Sequence, residues 1–218
     1  SDLKSTNRGN SWQRLDFEHA VVSCIDQAID GTIYFGTGYD LYYSYTTMYS
    51  TGLYYLNAND SAILIPGTQF YQNNTSNYDW MMIWRIACHP TDANILIVSN
   101  DNKTFTTNNR GATWTLLGGV NISKASISYS KNGNYVIVAG HNRVLRSTDG
   151  GNTWSRLDST NLLPAFAYSG GGRKEVCFSQ AANGVAYMSV ASQIGGFRGV
   201  LRTADGGKTW QQIQHPTT

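Results

Sequence analysis

Paired carboxylates are the first chemistry to look for, because two acids set across a cleft, about 6.5 to 9.5 Å apart in the inverting case, can hydrolyse a glycosidic bond by acid and base catalysis. The loop carboxylates beside aromatic clusters are Asp40 and Asp79, with Asp26 a third candidate. Each of them also reads as a solvated loop acid or a turn former. His19, His89, His141 and His215 are isolated and lack metal-ligand spacing, and no Ser, Cys or His arrangement forms a nucleophile and base pair. Neither a metal nor a cofactor is expected. Binding has a stronger signal: Tyr39, Tyr42, Tyr43, Tyr45, Tyr49, Tyr78, Trp80 and Trp84 fall in two neighbouring segments. Exposed rings of this kind stack on sugars and extended peptides with little help from charge, although strand alternation must turn some of them into the core.

What positions these residues is a repeat. Ser147-Thr148-Asp149-Gly150-Gly151-Asn152-Thr153-Trp154 recurs as Thr203 to Trp210 and, with Asn in place of Asp, as Thr107 to Trp114 and Ser5 to Trp12. The recurring positions are a hydroxyl (Ser5, Thr107, Ser147, Thr203), an Asx (Asn7, Asn109, Asp149, Asp205), a glycine (Gly9, Gly111, Gly151, Gly207) and a tryptophan (Trp12, Trp114, Trp154, Trp210). An Asx side chain accepting backbone amides, a glycine in a conformation other residues avoid and a hydroxyl closing the loop make a hairpin turn, and the tryptophan then packs. These residues are expected to build the fold rather than contact a ligand, with each tryptophan mostly buried against its own sheet. A worn copy is expected at Leu53 to Ile63, an apolar lead-in and a polar turn with Ile63 at the tryptophan position. Spacings of 40 to 56 residues between successive copies suit a β-propeller, whose repeats are small sheets unable to bury their faces alone.

These boxes resemble the Asp-box, or bacterial neuraminidase repeat, of sialidases, xyloglucanases and sortilin-like ectodomains. Arg85 to Val98 is similar to the strand, Pro-turn and strand preceding a box in sortilin-like propellers, and Tyr34-Phe35-Gly36-Thr37-Gly38 with Gly52-Leu53-Tyr54 resembles a blade carrying a loop on one face. The resemblance implies an all-β fold: an arc of about four four-stranded blades plus an N-terminal box hairpin, belonging to a larger propeller. The expected divisions are 1–15 (tail of a preceding blade), 16–65, 66–117, 118–157 and 158–218.

The resemblance admits two functions. One is a non-catalytic module binding a glycan or an extracellular protein or peptide through the Thr37 to Thr51 loop and the Tyr71 to Trp84 segment. The other is a glycoside hydrolase with part of its site on blades outside this sequence. A sialidase-like site would need three gripping arginines and a Tyr/Glu pair. Of ten arginines only Arg85, Arg143, Arg173 and Arg198 lie away from boxes, and the two glutamates, Glu18 and Glu175, lack the expected surroundings. Binding is the favoured reading.

Composition narrows the setting. Hydrophobic residues at 41% and aromatics at 12% supply a core, while charged residues at 14% fall well below the roughly 25% usual for soluble domains, as suits an extracellular, periplasmic or cell-surface protein, here expected to be bacterial. A net charge of +2 without a basic stripe argues against nucleic acid, and no apolar run reaches the length of a membrane span. Edge strands are expected to pair with further blades or another copy. Cys24, Cys88 and Cys177, each early in its repeat, are expected to be free, buried and protected.

Overall fold

The computed structural model describes residues 2–15, 21–38, 50–70, 75–158, 163–164, 167 and 172–213. An N-terminal hairpin of β1 (Asp2–Lys4) and β2 (Gln13–Leu15) precedes four four-stranded sheets. The first contains β3 (Val22–Gln27), β4 (Ile33–Thr37), β5 (Leu53–Leu56) and β6 (Ala62–Leu64), and the second β7 (Ile83–Cys88), β8 (Leu96–Asn100), β9 (Thr104–Thr107) and β10 (Thr115–Leu116). The third is β11 (Ser126–Tyr129), β12 (Val136–Ala139), β13 (Val144–Ser147) and β14 (Ser155–Arg156). The fourth is β15 (Lys174–Phe178), β16 (Ala186–Ala191), β17 (Phe197–Thr203) and β18 (Gln211–Ile213). Every sheet is an antiparallel meander in chain order, and the first strands β3, β7, β11 and β15 pack one on the next. This is the propeller arc expected from the repeats, open rather than closed.

Three cores fill the three junctions between sheets. Tyr34, Leu53 and Ile65 meet Ile83, Ile86 and Leu96 at the first junction, Ala87 and Ile97 meet Val136, Val138 and Leu145 at the second, and Ile137, Val144 and Leu157 meet Phe178, Met188 and Leu201 at the third. Box tryptophans belong to these junctions, which corrects the expectation that each packs within its own sheet. Trp114 joins the first core, Trp154 the second and Trp210, only 8% exposed, the third. Trp12 has no such junction among the described residues and is 60% exposed.

The boxes close the β-hairpins as their residue types dictate. In each, the hydroxyl oxygen accepts the glycine amide (Gly9 to Ser5 2.8 Å, Gly111 to Thr107 3.0 Å, Gly151 to Ser147 2.9 Å, Gly207 to Thr203 3.0 Å). The Asx oxygen accepts the amide four residues on, at 2.9 Å in all four copies. Two successive left-handed residues make the turn, as at Arg110 (φ 58°) and Gly111 (φ 88°), and the tryptophan ring folds back over that glycine. A Cβ on Gly111 would lie 3.0 Å from the Trp114 ring and 2.8 Å from Ile65, so the position needs glycine for packing as well as for φ.

The turn at 57–61 keeps only half of this device. Asn57 Oδ1 accepts the amides of Asn59 and Ser61, but a single residue, Asp60 (φ 58°), is left-handed. Five residues after the Asx stands Ala62, so Ala62 and not Ile63 holds the tryptophan place, and Ile63 points outward at 37% exposure. Asp60 is instead gripped by Lys4 at 2.6 Å, tying the N-terminal hairpin to the first sheet.

All three cysteines are free, yet they differ in environment. Cys88 is buried and Cys24 half-buried, and burial pushes the Cys24 thiol up to about 11. Cys177 is exposed, against the expectation of protection. Ladder register explains it. Box residue Thr107 pairs with Leu96 and Leu96 with Cys88, whereas Thr203 pairs with Ala186 and Ala186 with Phe178. Cys88 therefore corresponds to Phe178, and Cys177, one residue earlier, faces the opposite side of its sheet.

Box acids give a pH prediction. Burial raises the carboxyls of Asp149 and Asp205, but hydrogen bonds from the hydroxyl and amide of Thr153 or Thr209 and from the leading Ser147 or Thr203 outweigh it and hold each at about 2. A folded-state value below the ordinary 3.8 adds stability that is full above pH 4 and lost as pH falls through about 2. The Asp149→Asn/Asp205→Asn pair should fold, as Asn109 already does this work, and should show a shallower loss of stability between pH 4 and 2 in acid-titrated urea melts.

Candidate functional site

The two ends of the sheets differ. At one end the boxes lie beside the first turn of each sheet, and the amides of Arg110, Gly150 and Gly206 donate to Asn94, Asn134 and Gly184 carbonyls. The other end carries the starts of the first strands and the connections between second and third strands. Here Thr37 Oγ1 accepts the amides of Thr51 (2.9 Å) and Gly52 (3.0 Å), and the Ser50 amide donates to the Met81 carbonyl, fixing the stems of the 38–50 connection.

A cavity of about 200 Å³ opens at this second end, lined from three sheets by Trp84 and Arg85, by Lys124, Ala125, Ser126 and His141, and by Arg173 and Glu175. Its arrangement comes from the repeat. Three residues before the matched set Cys88, Tyr129 and Phe178 stand Arg85, Ser126 and Glu175, on one rung of successive first strands. The small Ser126 in the middle lets Arg85 of the second sheet reach Glu175 of the fourth, at 3.1 and 3.0 Å to its two oxygens. Arg173 also binds Glu175, with Nε at 2.9 Å and Nη2 at 2.7 Å from Oε1. Burial raises the Glu175 carboxyl, but the bonds from Arg173 and Ser126 and the charges of Arg85 and Arg173 bring it below its ordinary value, so it is ionised.

The mouth is built around Trp84. Its Nε1–H donates to Asp101 Oδ1 at 2.8 Å, Lys124 Nζ sits 4.9 Å from its ring centroid and 3.2 Å from the same Asp101 oxygen, and the indole remains 37% exposed. Behind the cavity, the buried Lys174 donates to the carbonyls of Gly140, His141 and Gly172 at 3.1, 3.0 and 3.2 Å. Burial of this ammonium lowers it to about 8. Burial and the charges of Lys124, Lys174 and Arg173 lower His141, leaving a neutral imidazole.

The other sequence candidates are scattered. Trp80 is buried at 5% exposure, stacked on Phe105 (5.5 Å) and edge-on to Trp114 (5.2 Å), so it is a core residue and not a rim aromatic. Tyr78 is exposed, with its ring 6.0 Å from Phe70. Asp79 is paired to Lys103 at 2.7 Å, and its carbonyl accepts the Asn100 amide group. Asp26 serves the backbone, accepting the amides of Gln27 and Cys88. Tyr39, Asp40, Tyr42, Tyr43, Tyr45, Tyr49, His19 and His215 lie outside the described residues. His89 packs edge-on to Tyr129, and no group of three or more metal-ligating side chains occurs among the described residues. The sequence weighs Arg85, Arg173 and Glu175 only against a sialidase-like site, whose surroundings they lack; counting back from each box along the strand ladders is the signal that unites residues as far apart as 90 positions.

No protein-family model and no curated protein matches this chain. Solved structures do. An ancestral GH74 enzyme superposes with a TM-score of 0.63 at 20% identity over 97% of this chain, and the Niastella koreensis GH74 enzyme with 0.56 at 17% over 89%. The extracellular domain of BT4673 from B. thetaiotaomicron gives 0.58 at 15% over 93%. This chain spans 28%, 30% and 23% of those chains, respectively. What the likeness shows is a shared fold, the β-propeller, of which this chain forms an arc of four sheets and a hairpin.

Proposed function

We propose that this arc belongs to an extracellular Asp-box propeller and acts as a non-catalytic binding module for a glycan or protein ligand. The observation that carries the reading is Trp84, an exposed indole pinned by Asp101 at the mouth of a cavity with charged side chains in its lining, at the end of the sheets away from the boxes. Tyr78 adds a second exposed ring, and Tyr39, Tyr42, Tyr43, Tyr45 and Tyr49 stay candidates for the same ligand on their sequence alone. Similarity to GH74 enzymes and to an extracellular domain supports a carbohydrate ligand and an extracellular setting. No helix among the described residues is long and apolar enough to cross a membrane.

A general acid needs a carboxyl raised toward neutrality, and Asp30, Asp149, Asp158, Glu175 and Asp205 each shift the other way. The second reading, a glycoside hydrolase completed by further sheets, rests on the GH74 likeness. Both are tested by screening glycans and peptides for binding beside a hydrolysis assay on sialosides and β-glucans. Trp84→Ala is expected to weaken the best binder about two- to tenfold, since an aromatic contact is worth about 0.5–1.5 kcal/mol. Turnover lost in Asp79→Asn would overturn the binding-only reading.

A further inference from the structure

The cavity beside Trp84 has a charge balance that narrows its ligand. Three cations, Arg85, Lys124 and Arg173, face two carboxylates, Glu175 and Asp101, leaving an excess positive charge in a protein with few charged residues. Both guanidiniums converge on the single carboxylate of Glu175, so the geometry already holds one carboxylate between two arginines. A guanidinium has five N–H donors, and Glu175 takes only two from Arg173, whose side chain is 67% exposed. Ion pairs at this exposure are worth little and exchange partners readily. At about 200 Å³ the cavity is smaller than the 300–1,000 Å³ of pockets that enclose a whole ligand, and so takes one unit of a longer chain.

Resting on the glycan-binding reading above, we propose that this cavity takes a carboxylated sugar residue, its carboxylate on Arg173 and Lys124 and its ring against Trp84, with Glu175 and Asp101 competing for those cations. The competition has a consequence that a merely structural role for Glu175 lacks: removing its charge frees two guanidiniums and strengthens binding of the acid. Lys124 reaches the ligand from the third sheet and Arg173 from the strand leading into the fourth, so the carboxylate bridges that junction while the sugar ring lies toward the second sheet.

The test is isothermal titration with tetragalacturonate, its fully methyl-esterified form and a tetraglutamate peptide, against wild type, Glu175→Gln, Arg173→Ala and Trp84→Ala, each variant first checked by thermal melt. Tetragalacturonate is expected to bind and to weaken with added salt, the methyl ester to bind at least tenfold more weakly, Arg173→Ala to lose about tenfold, Trp84→Ala to lose about two- to tenfold, and Glu175→Gln to gain about fivefold. Equal binding of the acid and its ester, or no binding of either, overturns the proposal, and so does tetraglutamate binding as tightly as the oligouronate. If Glu175→Gln melts early, wild-type salt dependence and the ester comparison decide alone. Binding of a neutral glycan that Trp84→Ala abolishes, without preference for the acid, defeats this inference and leaves the binding-module reading standing.

Discussion

Trp210→Ala is expected to cost about 3–5 kcal/mol of stability in urea melts, and Trp12→Ala under about 1 kcal/mol. The two tryptophans occupy the same box position and differ in whether a neighbouring sheet covers the ring. Trp210 lies in the junction with the third sheet, among Ile137, Val144 and Leu157, and donates its indole N–H to Gly207 at 3.1 Å. Trp12 stands 60% exposed. A box tryptophan therefore stabilises through the sheet before it, and the hairpin itself depends on the hydroxyl and Asx bonds. Equal losses at the two positions would show that the ring acts within its own hairpin.

Lys174→Met is expected to cost about 2–4 kcal/mol, because it strips a donor from three carbonyls at once, and buried acceptors left unpaired carry a penalty. Those carbonyls belong to Gly140, His141 and Gly172, the backbone that holds His141 and Arg173 at the cavity, so ligand binding should fall with stability. The pH signature separates this from simple loss of packing. Lys174 is lowered from its ordinary 10.5 to about 8, so between pH 8 and 10.5 the unfolded chain binds a proton that the folded one has shed. Its burial penalty is thus present below about pH 8 and relieved as pH rises to 10.5. Wild type should gain stability relative to Lys174→Met across that window, and parallel pH profiles for the two would contradict the buried-cation account.

The boxes were legible because their chemistry is local: a hydroxyl, an Asx, a glycine and a tryptophan at fixed offsets suffice to define the turn. Where that local set is incomplete, at Asn57 to Ser61, the turn changes type and the tryptophan place moves to Ala62. Faces of strands were less legible. Cys88 and Cys177 look alike in sequence, and a one-residue offset in register buries one and exposes the other. Trp80 and Trp84 sit four residues apart in one aromatic run, but the first ends a short 3-10 turn that drives it into the core, and the second is on β7 facing outward. The cavity was the least legible part. Arg85 and Glu175 meet only because Ser126 between them is small, a fact of three strands lying side by side and not of any single stretch.

Indole signals offer the most direct measurement of where a ligand binds. The chain has six tryptophans, Trp12, Trp80, Trp84, Trp114, Trp154 and Trp210, and each contributes one Nε1–H resonance, assigned by single substitutions to Phe. Titrating the best glycan from the binding screen into nitrogen-15-labelled protein should shift the Trp84 resonance saturably, since its N–H is held on Asp101 at the cavity mouth, while Trp114, Trp154 and Trp210 at the sheet junctions stay in place. Saturable binding that leaves the Trp84 signal unmoved, or moves a box tryptophan instead, would contradict the assignment of the binding site to this end of the propeller.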